Sequence, residues 1–216
     1  MRTILIGTGF WSSDRNHFHN LQQLDAWLSN TVSVCSNIVI VDNSTVGLRR
    51  EWPRIIRNQN NLGHVGDVKM LRGEGVKLYG WSMSWIQTAM VAYADGCDFV
   101  YKEQDCFAWG DWLNKIREFP ISFGHNNQLE CEQSLFWIRH EKLLDFVTDY
   151  MAMGERDDDL LPEKKFMHLM RSHPDWIRFH ELPGGRNRPL PVGPGAFYAQ
   201  KLTNEELRML EEKGFL

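Results

Sequence analysis

Residues 37 to 44 read Asn37-Ile38-Val39-Ile40-Val41-Asp42-Asn43-Ser44, and the fold turns on this run. Four consecutive apolar residues, all β-branched, leave no polar face, so the segment is predicted to be an inner strand of a parallel sheet covered on both sides. Its polar residues then fall at the carboxyl end. Upstream, Thr3-Ile4-Leu5-Ile6-Gly7-Thr8-Gly9 is a short apolar run stopped by glycines, expected as a buried first strand that ends in a loop. Between the two, Phe18, Leu21, Leu24 and Leu28 recur at three- and four-residue spacing, which predicts an amphipathic helix over residues 16–28.

Downstream, Ile55-Ile56-Arg57 reads as a third short strand, and the polar, glycine-containing stretch 58–66 as a loop. Residues 80–94 (GWSMSWIQTAMVAYA) have helical character, with Asp95-Gly96 as the stop. Asp98 to Tyr101 is then a fourth strand, running into Lys102-Glu103-Gln104-Asp105. Strand and helix alternate through this first half, the pattern of a doubly wound α/β sheet.

The second half has a different texture. Residues 120–124 and 133–139 read as strands, the latter passing into a helix over His140 to Tyr150. A charged segment, 154–159, precedes a helix over 162–171 with proline in its first turn. Gly184-Gly185-Arg186-Asn187-Arg188-Pro189 and residues 191–195 read as ordered loops. The final helix, 203–213, opens with a capping box made by Thr203 and Glu206. No repeat and no linker interrupts the 216 residues, which are expected to form one α/β domain with a mixed, mostly parallel central sheet flanked by helices.

Composition narrows the function. Lys plus Arg number 24 against 28 Asp plus Glu, a net charge of −4, which gives no electrostatic case for a nucleic-acid partner. Cys35, Cys97, Cys106 and Cys131 lack C-x-x-C spacing and read as reduced thiols of a cytoplasmic protein, not as a zinc ribbon or a disulfide scaffold. No stretch approaches the roughly 20 apolar residues of a membrane span, so no transmembrane segment is expected, although a substrate at a membrane surface is compatible. Nine Trp and twelve Phe exceed what packing alone requires. Most are core material, and exposed ones are suited to stack on sugar rings or a nucleobase.

Ligands of doubly wound sheets sit outside the carboxyl ends of the strands, where strand order reverses. Two strands end alike, one in Asp42-Asn43-Ser44 and the other in Glu103-Gln104-Asp105. The order of IVIVDNS, then NNLGHVGD, then a helix and DFVYKEQD resembles the nucleotide-sugar-binding half of GT-A glycosyltransferases, especially the inverting, family-2-like group. The resemblance covers about residues 3 to 115 and, more weakly, 120 to 170.

The resemblance implies transfer of a sugar from a UDP- or GDP-sugar donor to a hydroxyl on a carbohydrate or lipid-linked glycan, in glycan or surface polysaccharide assembly. It implies Mn²⁺ or Mg²⁺ as cofactor, a donor half over about residues 1–115 and an acceptor half over about 116–216. Donor contacts then fall to Asp42, Asn43, Asn61, Gly63, Asp67, Lys69, Glu103 and Gln104, with Arg72 in reserve. Arg186 and Arg188 would close over the diphosphate, their alternative being a plain surface turn.

The family's D-x-D position reads Glu103-Gln104-Asp105 here, and glutamate can still bind a hard divalent cation. Asp105 is the expected ligand, with Glu103 on the metal, on a metal-bound water or on the ribose; the plain alternative is a pair of solvated strand-end charges. His180, at the end of Ile177-Arg178-Phe179-His180-Glu181, is the expected third ligand, and His125 competes with it. For the catalytic base the candidates are Glu163, placed on the first turn of a helix, and Asp159, with Asp157 and Asp158 beside it. Trp109 is the expected acceptor platform, whereas Trp112 is more simply read as packing its helix on the sheet. The rivals are a sugar nucleotidyltransferase, which Gly7-Thr8-Gly9-Phe10-Trp11 disfavours by lacking a basic triphosphate loop, and a non-catalytic nucleotide- or carbohydrate-binding module.

Overall fold

The structure, a computed structural model, describes residues 2–12, 17–44, 47–58, 80–125, 131–156, 162–181, 190 and 198–215. Strands β1 (Ile4–Phe10), β2 (Ile38–Asp42), β3 (Arg54–Arg57) and β4 (Asp98–Lys102) come from the first half of the chain. With β6 (Ile121–His125), β7 (Cys131–Ile138) and β8 (Ile177–Glu181) they form one sheet in the order β3-β2-β1-β4-β7-β6-β8. Every strand is parallel to the rest except β7, which runs antiparallel to both β4 and β6. A separate two-stranded antiparallel sheet pairs β5 (Cys106–Ala108) with β9 (Tyr198–Gln200).

The run that decides the fold behaves as its composition dictates. All five residues of β2 are buried, and successive ones serve opposite faces. Ile38 and Ile40 join one core with Ile6, Val100, Leu135 and Trp137, under Leu24 and Trp27 of helix α1 (His17–Val32), Trp112 of α3 (Trp112–Ile116) and Leu210 of α6 (Asn204–Glu212). Val39 joins the other core with Leu5, Phe99, Tyr101, Phe123 and Phe136. That core is covered by Trp85 of α2 (Gly80–Ala94), Phe146 and Tyr150 of α4 (His140–Arg156), and Phe166 of α5 (Pro162–Ser172). Helices on both faces of a mixed, mostly parallel sheet are thus the direct outcome of two-sided apolar strands.

One expected boundary is corrected. Strand β1 does not stop at Gly7 and Gly9 but runs through both to Phe10. The glycines serve helix α2, which lies so close that a Cβ on Gly9 would meet Ser84 Oγ at 2.6 Å, and a Cβ on Gly7 would overlap the Thr88 side chain. These are strand glycines chosen for close backbone approach. The last helix starts as expected: Thr203 accepts from the Glu206 backbone N–H at 3.2 Å, and the Glu206 side chain accepts from Thr203 N–H at 2.8 Å.

Candidate functional site

The chain passes from β1 outward to β2 and β3, then returns to the other side of β1 as β4, so strand order reverses between β1 and β4. At that seam, just past the carboxyl ends, the Trp11 N–H donates to Gln104 Oε1 at 3.2 Å. The Glu103-Gln104-Asp105 turn therefore sits at the switch point, where ligands of such sheets bind. Trp11 and Trp52, 37% and 49% exposed, are the tryptophans with the most open rings among the described residues.

The two acids of the turn converge on one side chain. Gln200, at the end of β9, donates from Nε2 to Glu103 Oε2 and also to Asp105 Oδ1 at 3.2 Å. The turn is fixed from three directions: Glu103 N–H donates to Ser134 O on β7, Cys106 N–H to Glu103 O, and Lys201 N–H to Asp105 O at 3.2 Å. Beneath it lies the Tyr101 hydroxyl. Burial pushes its pKa well above the ordinary value, and the nearby Glu103 and Asp105 carboxylates push it the same way, against a backbone hydrogen bond from Gly9. The phenol is thus held neutral beside the carboxylate pair.

The β2 end is organised differently. Asp42 is fully buried, and its carboxylate is engaged by its own loop: Oδ1 accepts from Ser44 N–H and Oγ–H, and Oδ2 from Leu48 N–H at 2.6 Å. Asn43 Nδ2 donates to Ser84 Oγ at 2.8 Å, and its Oδ1 accepts from Asn58 Nδ2 at 2.6 Å. Asn58 Oδ1 in turn accepts from Gln87 at 2.9 Å. This relay ties the ends of β2 and β3 to the first turns of α2.

Other expected residues fall as follows. Trp109, expected as an acceptor platform, is 5% exposed and packs on Phe215, with ring centroids 5.8 Å apart. Trp112 is likewise buried against the sheet. The backbone of His180 pairs with Gly124 on the outermost strand β8, three strands from β4, a lateral separation of about 14 Å at normal strand spacing. His125, ending β6, lies two strands from β4. The side chain that meets both acids is Gln200, which no sequence motif marks.

Glu163 occupies the first turn of α5, and its Oε2 is buried without a hydrogen-bond partner. Trp81, in the first turn of α2, also has a buried, unpartnered Nε1, and its ring packs on Phe166 at 5.9 Å. Both helices run back against parallel strands, so both first turns lie at the carboxyl edge of the sheet. Asn61, Gly63, Asp67, Lys69, Arg72, Asp157, Asp158, Asp159, Arg186 and Arg188 lie outside the described residues, as do the side chains of His125 and His180.

The carboxylate pair suits a divalent cation in its donor chemistry: two hard oxygen ligands from one turn already converge on a single hydrogen-bond donor. Among the described residues, no three His, Cys, Asp or Glu side chains are grouped to hold a metal. None of the described helices is long and apolar enough to cross a membrane.

This architecture is a glycosyltransferase fold. The chain is similar to GlyE of Streptococcus pneumoniae in its apo form (TM-score 0.57, 9% identity), which covers 100% of this chain and 60% of GlyE. It is equally similar to a glycosyltransferase involved in glycosylation of the major capsid of PBCV-1 (0.57, 11% identity, 97% of this chain and 99% of that one). LgtC, in an active-site-mutant form, gives 0.57 at 8% identity, with 98% and 96% covered. This chain therefore spans about 60% of the length of GlyE. No protein-family model matches the chain, and no curated protein matches it in sequence.

Proposed function

We propose that this protein is a nucleotide-sugar-dependent glycosyltransferase, of hexosyltransferase type, acting in glycan or surface polysaccharide assembly in the cytoplasm, on a carbohydrate or lipid-linked acceptor. The observation that carries the reading is the convergence of Glu103 and Asp105 on one point, at the strand-order reversal of a glycosyltransferase fold. Asp105 and Glu103 hold Mn²⁺ or Mg²⁺, which when bound offsets the negative charge that develops on the departing nucleoside diphosphate. Lys69, Arg186 and Arg188 remain the candidate basic partners of that diphosphate.

Transfer with inversion needs a base on the face opposite the leaving group. Glu163 takes that role: its Oε2 accepts the proton of the acceptor hydroxyl as the hydroxyl oxygen bonds to the anomeric carbon and the bond to the diphosphate breaks. The orphaned Oε2 supports the assignment, since a buried carboxylate oxygen without a donor is costly unless a ligand supplies one. Asp159 is the alternative base.

The test is incubation with UDP- and GDP-sugars and Mn²⁺, with and without acceptor mixtures. Metal-dependent release of the nucleoside diphosphate is expected. Pyrophosphate release from a nucleoside triphosphate and a sugar phosphate would instead make the protein a nucleotidyltransferase. Binding without turnover, even with acceptors present, would make it a binding module.

A further inference from the structure

Gln200 is 2% exposed, yet it reaches the candidate site from a strand only three residues long. Its delivery is tightly specified. Cys106 pairs with Gln200 across β5 and β9, and the next residue, Lys201, adopts φ 55, a left-handed conformation that is unfavourable for a residue with a Cβ. In that conformation the Lys201 N–H bonds Asp105 O, so the backbone on either side of the Gln200 side chain is pinned to the acidic turn. Strain held by pairing on both sides, next to converging acids, is a feature of functional sites more than of plain turns.

An amide carries a donor nitrogen and an acceptor oxygen on one carbon, and a half-turn about its last bond exchanges the two at the same place. With Nε2 toward Glu103 and Asp105, the side chain serves as an uncharged hydrogen-bond donor to two carboxylates. With Oε1 in that place it is a hard oxygen donor of the kind Mg²⁺ and Mn²⁺ accept. Two carboxylates leave a cation short of protein ligands, and no His, Cys, Asp or Glu among the described residues completes a group of three.

We propose that Gln200 is the third protein ligand of the cation site, turning its amide to bind through Oε1 alongside Asp105 and Glu103. This rests on the reading of the acidic turn as a cation site. Gln200 thereby takes the place expected of His180.

The experiment is direct Mn²⁺ binding by electron paramagnetic resonance, titrating the free-ion signal with and without UDP, on the wild type, Gln200→Ala and Gln200→Glu. Loss of the amide is expected to weaken Mn²⁺ binding by about tenfold or more. Gln200→Glu, which keeps size and offers an oxygen in either orientation, is expected to bind Mn²⁺ at least as tightly as wild type. If Gln200 only clamps the two acids by donating hydrogen bonds, a cation must displace that donor, and Gln200→Ala would bind Mn²⁺ more tightly than wild type, which overturns the proposal. Wild-type affinity in Gln200→Ala overturns it equally. Absence of Mn²⁺ and Mg²⁺ binding in the wild type would instead remove the cation site itself, and with it the metal-dependent reading of function. Should Gln200→Ala not fold, Gln200→Met, which keeps the length of the side chain and removes its amide oxygen, takes its place in the same comparison.

Discussion

Lys102 Nζ donates to Asn30 Oδ1 at 2.6 Å and to Thr31 Oγ1 at 2.9 Å, over the ring of Trp27 and fully buried. Among the described residues no carboxylate pairs with it. Asn30 also brackets Ala108, donating to its carbonyl at 2.9 Å and accepting from its N–H at 3.2 Å. One buried amine thus couples α1 to the two strands flanking the acidic turn. Burial lowers its pKa to about 7, with Cys106 acting weakly in the opposite direction.

Stability should therefore depend on pH through Lys102. The unfolded chain keeps this proton up to the ordinary value of 10.5, the folded chain only to about 7. Between those values the unfolded state binds more protons, so stability rises with pH by at most about 1.4 kcal/mol per unit; below about 7 both states are protonated and the slope vanishes. Urea unfolding of wild type and Lys102→Met from pH 6 to 9.5 checks this. The difference, wild type minus variant, is expected to rise above pH 7, and a difference that stays flat would show that the amine does not titrate in this range.

Two glycine substitutions should fail for different reasons. Gly9→Ala places a Cβ 2.8 Å from Ser84 Cβ, so α2 must move off the sheet, at about 1–3 kcal/mol. Gly96→Ala meets nothing within 4 Å and pays only for φ +69, about 1 kcal/mol. Thermal unfolding of both, with donor binding measured alongside, separates them: only Gly9→Ala should also weaken binding, because α2 carries Ser84 and Gln87 of the relay to Asn43 and Asn58.

Asp105→Asn and Glu163→Gln should divide binding from chemistry. Calorimetry with UDP and Mn²⁺ should show metal-dependent binding lost in Asp105→Asn and retained in Glu163→Gln, while transfer in Glu163→Gln falls by about 10²–10⁴-fold. Full transfer activity in Glu163→Gln would move the base to Asp159 or its neighbours.

Much of the fold is legible in the sequence because its cues are local. Residues 80–94 carry both a helical composition and their own stop, and β2 announces two-sided burial in four residues. The capping box at Thr203 is likewise readable from three positions. What escaped depends on partners far along the chain. Gly7 and Gly9 look like a strand end until Thr88 and Ser84 are seen against them. Strand β9 is too short for any periodicity, and its pairing with β5 has no sequence signature, so nothing marked Gln200. Strand-end position points to the acidic turn, whereas His180 is singled out by residue type at the end of β8, and its backbone lies three strands from β4.

The pairing of Cys106 with Gln200 also sets an order in time. Glu103 and Asp105 are synthesised 97 and 95 residues before the amide that meets them, and every strand of the seven-stranded sheet leaves the ribosome before Gln200 does. The two-stranded sheet is thus a closing clasp, and the full set of polar groups around Glu103 and Asp105 is assembled only on a chain whose sheet has already been made.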